Sequence, residues 1–140
     1  MYRIRILSVG KTKEEWLEAA IAEYLKRLQQ VATITFVWAK NDAQLLALAE
    51  KEENLICLDA SGRMMDSVQF SSFLTKELEM RGARLTFVIG GAEGLPPSLK
   101  KEHPLISLSP MTFTHQMVRL LLIEQIYRAI EIDKGSHYHK

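Results

Sequence analysis

The chain has 140 residues, of which 47% are hydrophobic and 25% charged, with a formal net charge of +1. This length suits one domain, predicted over residues 1–140, and the composition excludes a disordered or a disulfide-built chain. The near-neutral charge gives no overall electrostatic case for nucleic acid, so any RNA-binding surface must be local.

The first half of the chain alternates short apolar runs with segments of helical periodicity. Thr12 and Glu15 form a capping-box pattern ahead of the first helix, and Asn41 predicts the start of the second. Residues 59–63, Asp-Ala-Ser-Gly-Arg, predict a turn. The elements predicted in this half are strands at 2–9, 31–38 and 55–59, and helices at about 12–30, from about 41, and at 67–80.

Two apolar runs in the second half each end abruptly in a loop of small or polar residues. Leu85–Ile89 is followed by Gly90–Gly94 (GGAEG), and Leu105–Leu108 by Ser109–Thr112 (SPMT), with a short helix predicted at about 96–101 between them. Such runs are typical of parallel strands buried on both faces, and ligands bind outside the carboxyl ends of these strands. We therefore expect the two loops to be neighbours and to form the site.

The glycine loop leaves two interpretations open. It is neither the Rossmann G-x-G-x-x-G pattern nor a Walker A loop, which weakens the case for a dinucleotide or ATP as the ligand. Adjacent glycines at Gly90 and Gly91 would let a ligand approach the backbone closely. The alternative is a tight strand-to-helix turn that binds nothing. The second loop leads into the last helix, with Thr112 or Thr114 as its N-cap.

The last helix, predicted over His115–Lys134 and ended by Gly135, has more apolar residues than one stripe requires. A second surface must cover the rest, and in a chain this small a homodimer is the simplest source. The apolar positions are Met117, Val118, Leu120, Leu121, Leu122, Ile123, Ile126, Tyr127, Ala129 and Ile130.

Other features point away from metal, membrane and disulfide chemistry. His115, His137 and His139 have no thiol or carboxylate at ligand spacing, so we expect no metal. The single Cys57 lies within an apolar run and should pack as a small hydrophobe. Charged residues interrupt the most apolar segment and the N-terminus alternates like a strand, so we expect no membrane span and no signal peptide.

Several segments, taken in order, have a familiar arrangement. Together they resemble the RlmH family of the SPOUT methyltransferase class, and the resemblance covers nearly the whole chain. The matching segments are Ile6–Lys11, Glu23–Arg27, Val88–Leu95, Ser107–Arg119, Glu124–Ala129 and Tyr138–Lys140.

The resemblance implies an α/β fold, a mostly parallel sheet flanked by helices, with a C-terminal trefoil knot. It implies an obligate homodimer that binds S-adenosylmethionine in the knot. The activity it implies is methylation of N3 of a pseudouridine in large-subunit ribosomal RNA of the assembled ribosome, hence a cytoplasmic or organelle-matrix location. The cofactor residues it implies are Leu58, Gly90, Gly91, Ser109, Pro110, Met111, Thr112, Phe113 and Thr114.

Methylation of a ring nitrogen requires loss of the N–H proton, so a base or an anion-stabilising group is useful. Tyr138 and His139 match the family's tail, which reaches the active site of the other subunit. Either of these, or Arg128 or Arg119 on the last helix, is a candidate for that role. The alternatives are a non-catalytic ribosome-assembly factor that keeps the pocket, and a nucleotide-binding α/β enzyme.

Overall fold

The computed structural model, which describes residues 1–140, alternates strands and helices along the chain. Their bounds are β1 (Tyr2–Val9), α1 (Glu15–Leu28), β2 (Ala32–Ala39), α2 (Asp42–Glu50), β3 (Leu55–Met64), α3 (Ser67–Met80), β4 (Arg84–Ile89), α4 (Pro97–Glu102), β5 (Leu105–Ser107) and α5 (His115–Lys134).

The strands form one sheet in the order β2-β1-β4-β3-β5, and all paired strands are parallel. The predicted α/β class is therefore confirmed. β2 lies on one side of β1, whereas β4, β3 and β5 lie on the other side. The carboxyl ends of β3, β4 and β5 lie at one edge of the sheet. The trefoil knot stays a prediction.

Two hydrophobic clusters cover the two faces of the sheet. The larger packs α1, α3 and α5 on the sheet, and the smaller packs α2 and α4. Cys57 is fully buried in the smaller cluster, and burial raises the pKa of its thiol to about 11. It packs as a small apolar side chain, as predicted. No helix here is long and apolar enough to cross a bilayer.

Two local predictions were wrong. Glu14, not Thr12, is the N-cap of α1, and no side chain caps this helix. Residues 59–63 are not a turn, because β3 continues to Met64 with a shift in its register against β5. The register shift depends on Gly62, where a Cβ atom would lie 2.7 Å from the backbone of Ile106.

The apolar surface of α5 is covered largely within one chain. Leu122, Ile123 and Ile126 are fully buried, and α5 packs against both α1 and α3 as well as the sheet. Much of the excess that predicted a homodimer therefore belongs to the core of the single chain. A half-exposed strip remains along the helix, formed by Met117, Leu121, Glu124 and Arg128.

Candidate active site

A cavity of about 910 Å³ opens at the carboxyl end of β4 and beside residues 58–60 of β3, next to the loop that follows β5. The two loops that the sequence predicts as neighbours both line it. Of the nine predicted cofactor residues, only Pro110 is not part of the lining. The eight that line the cavity are Leu58, Gly90, Gly91, Ser109, Met111, Thr112, Phe113 and Thr114.

The glycine loop is both a tight turn and a wall of the cavity. The Gly94 N–H donates to the carbonyl oxygen of Gly91 at 3.0 Å, and Gly94 has a φ of 86°. A Cβ atom on Gly90 would lie 2.5 Å from the carbonyl carbon of Gly94, which leaves no room for any side chain. A Cβ atom on Gly91 would meet only the Val9 side chain, at 3.4 Å. The loop is thus a tight turn that also brings bare backbone to the cavity, so the turn leaves room for a ligand.

The second loop is held by its own polar groups. The Ser107 hydroxyl donates to the carbonyl oxygen of Ser109 at 2.9 Å, and the Ser109 hydroxyl accepts from the Met111 N–H at 3.0 Å. The Thr114 hydroxyl caps α5 by accepting from the Met117 N–H at 3.2 Å, which confirms one of the two predicted caps. This geometry leaves Met111 and Phe113 exposed.

Other residues line the cavity that sequence reasoning did not assign to it, among them Glu14 and Trp16 at the start of α1, Asp59 on β3, and His115 on α5. The sequence does point to Asp59, because this carboxylate directly follows the buried run of residues 55–58. Burial raises the pKa of Asp59, but hydrogen bonds from Ser61 and Lys100 outweigh it and leave that pKa lowered. The carboxyl is therefore ionised at neutral pH.

Arg119 is a buried cation with no acidic partner. Its side chain is fully buried and lies over the Trp38 ring, 4.6 Å from the centroid. Burial lowers its pKa to about 10, which leaves it charged at neutral pH. Its three nitrogens donate to Ser8 Oγ, Thr12 Oγ1, Gln116 Oε1 and the carbonyl oxygens of Val9 and Gly10, at 2.7–3.1 Å.

Because these bonds occupy its donors, Arg119 has none left for a substrate. It clamps the end of β1 to the first turns of α5. The role in proton loss or anion stabilisation considered for Arg119 is therefore not supported by its position.

The other predicted catalytic residues lie together, Arg128 on the carboxyl-terminal half of α5 and Tyr138 and His139 in the tail that follows the helix. The Tyr138 hydroxyl donates to Glu124 Oε2 at 2.7 Å, and Arg128 pairs with the same carboxylate at 2.9 Å. Arg128 Nη1 is 3.0 Å from His139 Nδ1. Arginine has no acceptor, so Nδ1 accepts and a neutral His139 carries its proton on Nε2.

This group, the tail cluster of Glu124, Arg128, Tyr138 and His139, does not line the cavity of its own chain. His115 lines the cavity and Arg128 lies 13 residues further along α5. At 1.5 Å per residue this is about 20 Å along the helix. One chain therefore does not bring the predicted catalytic and cofactor residues together.

The tail cluster also limits which of its groups can accept a proton. Burial, with hydrogen bonds to Tyr24 and Glu124, raises the pKa of Tyr138 above its ordinary value. The hydrogen bond to Glu124 raises the pKa of Arg128. Tyr138 is therefore a neutral donor and Arg128 a fixed cation, and among the three predicted residues only His139 can serve as a base.

Comparison with known proteins gives a family. A family described as predicted SPOUT methyltransferase matches residues 2–139. The ribosomal RNA large subunit methyltransferase H of Protochlamydia amoebophila (strain UWE25) is 59% identical over 140 residues, covering 100% of both chains. The protein of the same name from Pelobacter propionicus is 37% identical over 98% of this chain and 99% of its own.

Solved structures agree on the fold. TrmJ from Z. mobilis ZM4 superposes with a TM-score of 0.53 at 8% identity, over 91% of this chain and 69% of that one. A probable methylase family protein from Haemophilus influenzae Rd KW20 gives 0.53 at 11% identity, over 94% of this chain and 66% of that one. From the family match and the full-length relatives, the chain belongs to the RlmH family of SPOUT methyltransferases.

Proposed function

We propose that this chain is an S-adenosylmethionine-dependent methyltransferase that methylates N3 of a pseudouridine in large-subunit ribosomal RNA. The observation that carries the proposal is the strand-end cavity, built from the two predicted loops in a chain of this family. The substrate class follows from the name of the relatives, ribosomal RNA large subunit methyltransferase. A ribosomal substrate implies a cytoplasmic location.

The cavity suits S-adenosylmethionine, a molecule with a flat adenine ring and a charged amino-acid end. A volume of about 910 Å³ lies within the range of small-molecule sites. Apolar walls from Leu58, Leu95 and Leu108 suit the ring, and the bare backbone at Gly90 and Gly91 allows close approach. The loop from Ser109 to Thr114 would hold the polar edges through its main chain. The bound cofactor supplies an electrophilic methyl group, which needs no protein nucleophile.

The protein's own work is to position the acceptor and to remove its N3 proton. Positioning supplies much of the rate in such an in-line transfer. We assign Arg128 to stabilising the anion that forms on the ring, and His139 to accepting the proton. His139 must first release its Nδ1 bond from Arg128.

These residues reach a cavity only if a second copy supplies them. A homodimer in which two α5 helices pack antiparallel along their half-exposed strips would bring each tail cluster to the partner's cavity. The exposed apolar side chains Met111 and Phe113, beside the start of this strip, favour such a contact.

Leu121→Asp should convert the dimer to a monomer, because an unpaired carboxylate buried in an apolar contact costs several kcal/mol. Leu122 and Ile126 are unsuitable for this test, since they are core residues of the single chain. The measurement is light scattering after size exclusion. The control is Met80→Asp, at a side chain 65% exposed at the end of α3, which should remain dimeric. An intact Leu121→Asp dimer would remove α5 from the interface.

A mixing experiment tests whether the tail acts in the partner's site. Deleting Tyr138–Lys140 should abolish methyl transfer and leave cofactor binding intact, whereas a chain with a blocked cavity, such as Gly90→Ala, should lack both. Random re-pairing of the two inactive chains makes about half of the dimers mixed, each with one restored site. Activity should therefore recover to about a quarter of wild type. A mixture that stays inactive, despite verified exchange of subunits, would place the tail's action in its own chain.

Isothermal calorimetry separates this function from other ligand classes. The chain should bind S-adenosylmethionine and S-adenosylhomocysteine but neither NAD nor ATP, because its glycine loop has neither nucleotide pattern. Binding of NAD or ATP instead would indicate a nucleotide enzyme. Cofactor binding without methyl transfer to ribosomes would indicate an assembly factor.

A further inference from the structure

The cavity has a side that the cofactor proposal leaves unused. The start of α1 and the first turn of α5 line it through Glu14, Trp16 and His115. Methyl transfer needs donor and acceptor in one enclosure, so this side is where the acceptor would lie. Trp16 is the largest side chain on it and is 58% exposed.

The fold of the single chain does not account for Trp16. Its neighbours Leu17 and Ile21 anchor α1 in the core, whereas the indole ring points outward. The other tryptophan, Trp38, stacks on Phe36 with ring centroids 4.9 Å apart and covers Arg119. Trp16 forms no aromatic or cation–π pair of this kind.

Charges of both signs lie beside Trp16, because Glu14, Glu15 and Glu18 are exposed around it as well as two lysines. Lys11 and Lys13 are exposed on the loop that leads into α1, and neither forms a salt bridge. Unpaired lysines next to an exposed aromatic ring suit a nucleotide, whose phosphate and base they would meet together.

His115 adds a polar group at the same place. Burial, Arg119 and Lys13 lower its pKa, so the imidazole is neutral at pH 7 and can both donate and accept a hydrogen bond. The edge of a uracil-like ring carries both kinds of group.

We propose that Trp16 is the stacking platform for the acceptor base, which Lys11 and Lys13 hold by its flanking phosphates. This assignment rests on the proposed function and specifies the substrate side of the same cavity. A base unstacked from the RNA would lie flat on the indole ring, with its N3 edge toward the two loops and another edge toward His115.

Kinetics of methyl transfer to ribosomes test the assignment. Trp16→Ala should lower kcat/KM for ribosomes by roughly 5- to 150-fold, the range expected for loss of one base–aromatic stack. Trp16→Phe, which keeps an aromatic ring, should retain most of the wild-type kcat/KM for ribosomes. Cofactor affinity and the dimer should be unchanged in both variants. Met80→Ala, at an exposed apolar site away from the cavity, is the matched control.

Three results would overturn the proposal. A weakened dimer in Trp16→Ala would assign the ring to the subunit interface, and weakened S-adenosylmethionine binding would assign it to the cofactor. Unchanged kcat/KM for ribosomes would remove it from the site.

A fluorescence titration gives an answer that does not depend on activity. In Trp38→Phe the only remaining tryptophan is Trp16. A short single-stranded RNA containing pseudouridine, added with saturating S-adenosylhomocysteine, should quench its emission, and Lys11→Glu with Lys13→Glu should weaken this effect. Unchanged emission would overturn the proposal. If the wild type transfers no methyl group, the proposed function fails and this titration alone decides the role of Trp16.

Discussion

Gly90→Ala should abolish cofactor binding and lower methyl transfer by about 100-fold or more, the loss expected when reacting groups are misplaced by about 1 Å. Its Cβ atom would lie 2.5 Å from the backbone of Gly94, so the loop must move away from the strand end. The strand itself is buried and paired on both sides, so the sheet should remain folded. Calorimetry with S-adenosylmethionine and circular dichroism measure the two effects.

The adjacent glycine is a matched control. A Cβ atom on Gly91 has Val9 side-chain atoms as its nearest neighbours, the first at 3.4 Å, so Gly91→Ala should leave the loop backbone in place and weaken cofactor binding less than Gly90→Ala does. This difference between neighbouring glycines is a property of the structure that the sequence does not show. Equal binding by Gly90→Ala and wild type would remove the loop from the cofactor site.

Arg119→Met should lower the free energy of unfolding by about 3 kcal/mol. The substitution removes five hydrogen bonds, and each buried acceptor left without a partner costs about 1–3 kcal/mol. The Ser8 hydroxyl is fully buried, so the hydrogen bond that it loses from Arg119 should be among the most costly. Removing an unpaired buried charge offsets part of this cost, which keeps the expected value well below the sum. Chemical denaturation of both proteins measures the difference.

Arg119→Lys separates charge from geometry. Lysine keeps the cation but lacks the planar fork that reaches β1 and α5 together. If the clamp matters more than the charge, the lysine variant should lose nearly as much stability as the methionine variant. A methionine variant as stable as wild type would mean that the desolvation cost of the guanidinium equals what its hydrogen bonds contribute.

The site's location was predictable because it depends on a property of all parallel sheets. Leu85–Ile89 and Leu105–Leu108 are continuous apolar runs, and the carboxyl ends of such strands meet at one edge. The loops that follow them therefore had to lie at the same edge of the sheet, where only β3 separates β4 from β5. The cap at Thr114 and the stop at Gly135 were predictable because they depend on local backbone groups.

The errors arose where distant residues decide a local structure. Thr12 has the sequence of a helix cap, but its hydroxyl accepts a hydrogen bond from Arg119, more than a hundred residues away. Residues 59–63 read as a turn, but they lie within β3, whose register against β5 shifts between Leu58 and Arg63. Leu122 and Ile126 indicated a dimer contact because no sequence pattern shows that α1 and α3 flank α5 on both sides.

Transfer of a radiolabelled methyl group from S-adenosylmethionine to ribosomes that lack the modification is the most direct measurement. Wild-type protein should label large-subunit ribosomal RNA, and nucleoside mass spectrometry should place the methyl group on N3 of a pseudouridine. Gly90→Ala should give no label. Label on small-subunit RNA or on ribosomal protein, or no label with folded wild-type protein that binds the cofactor, would contradict the proposed function.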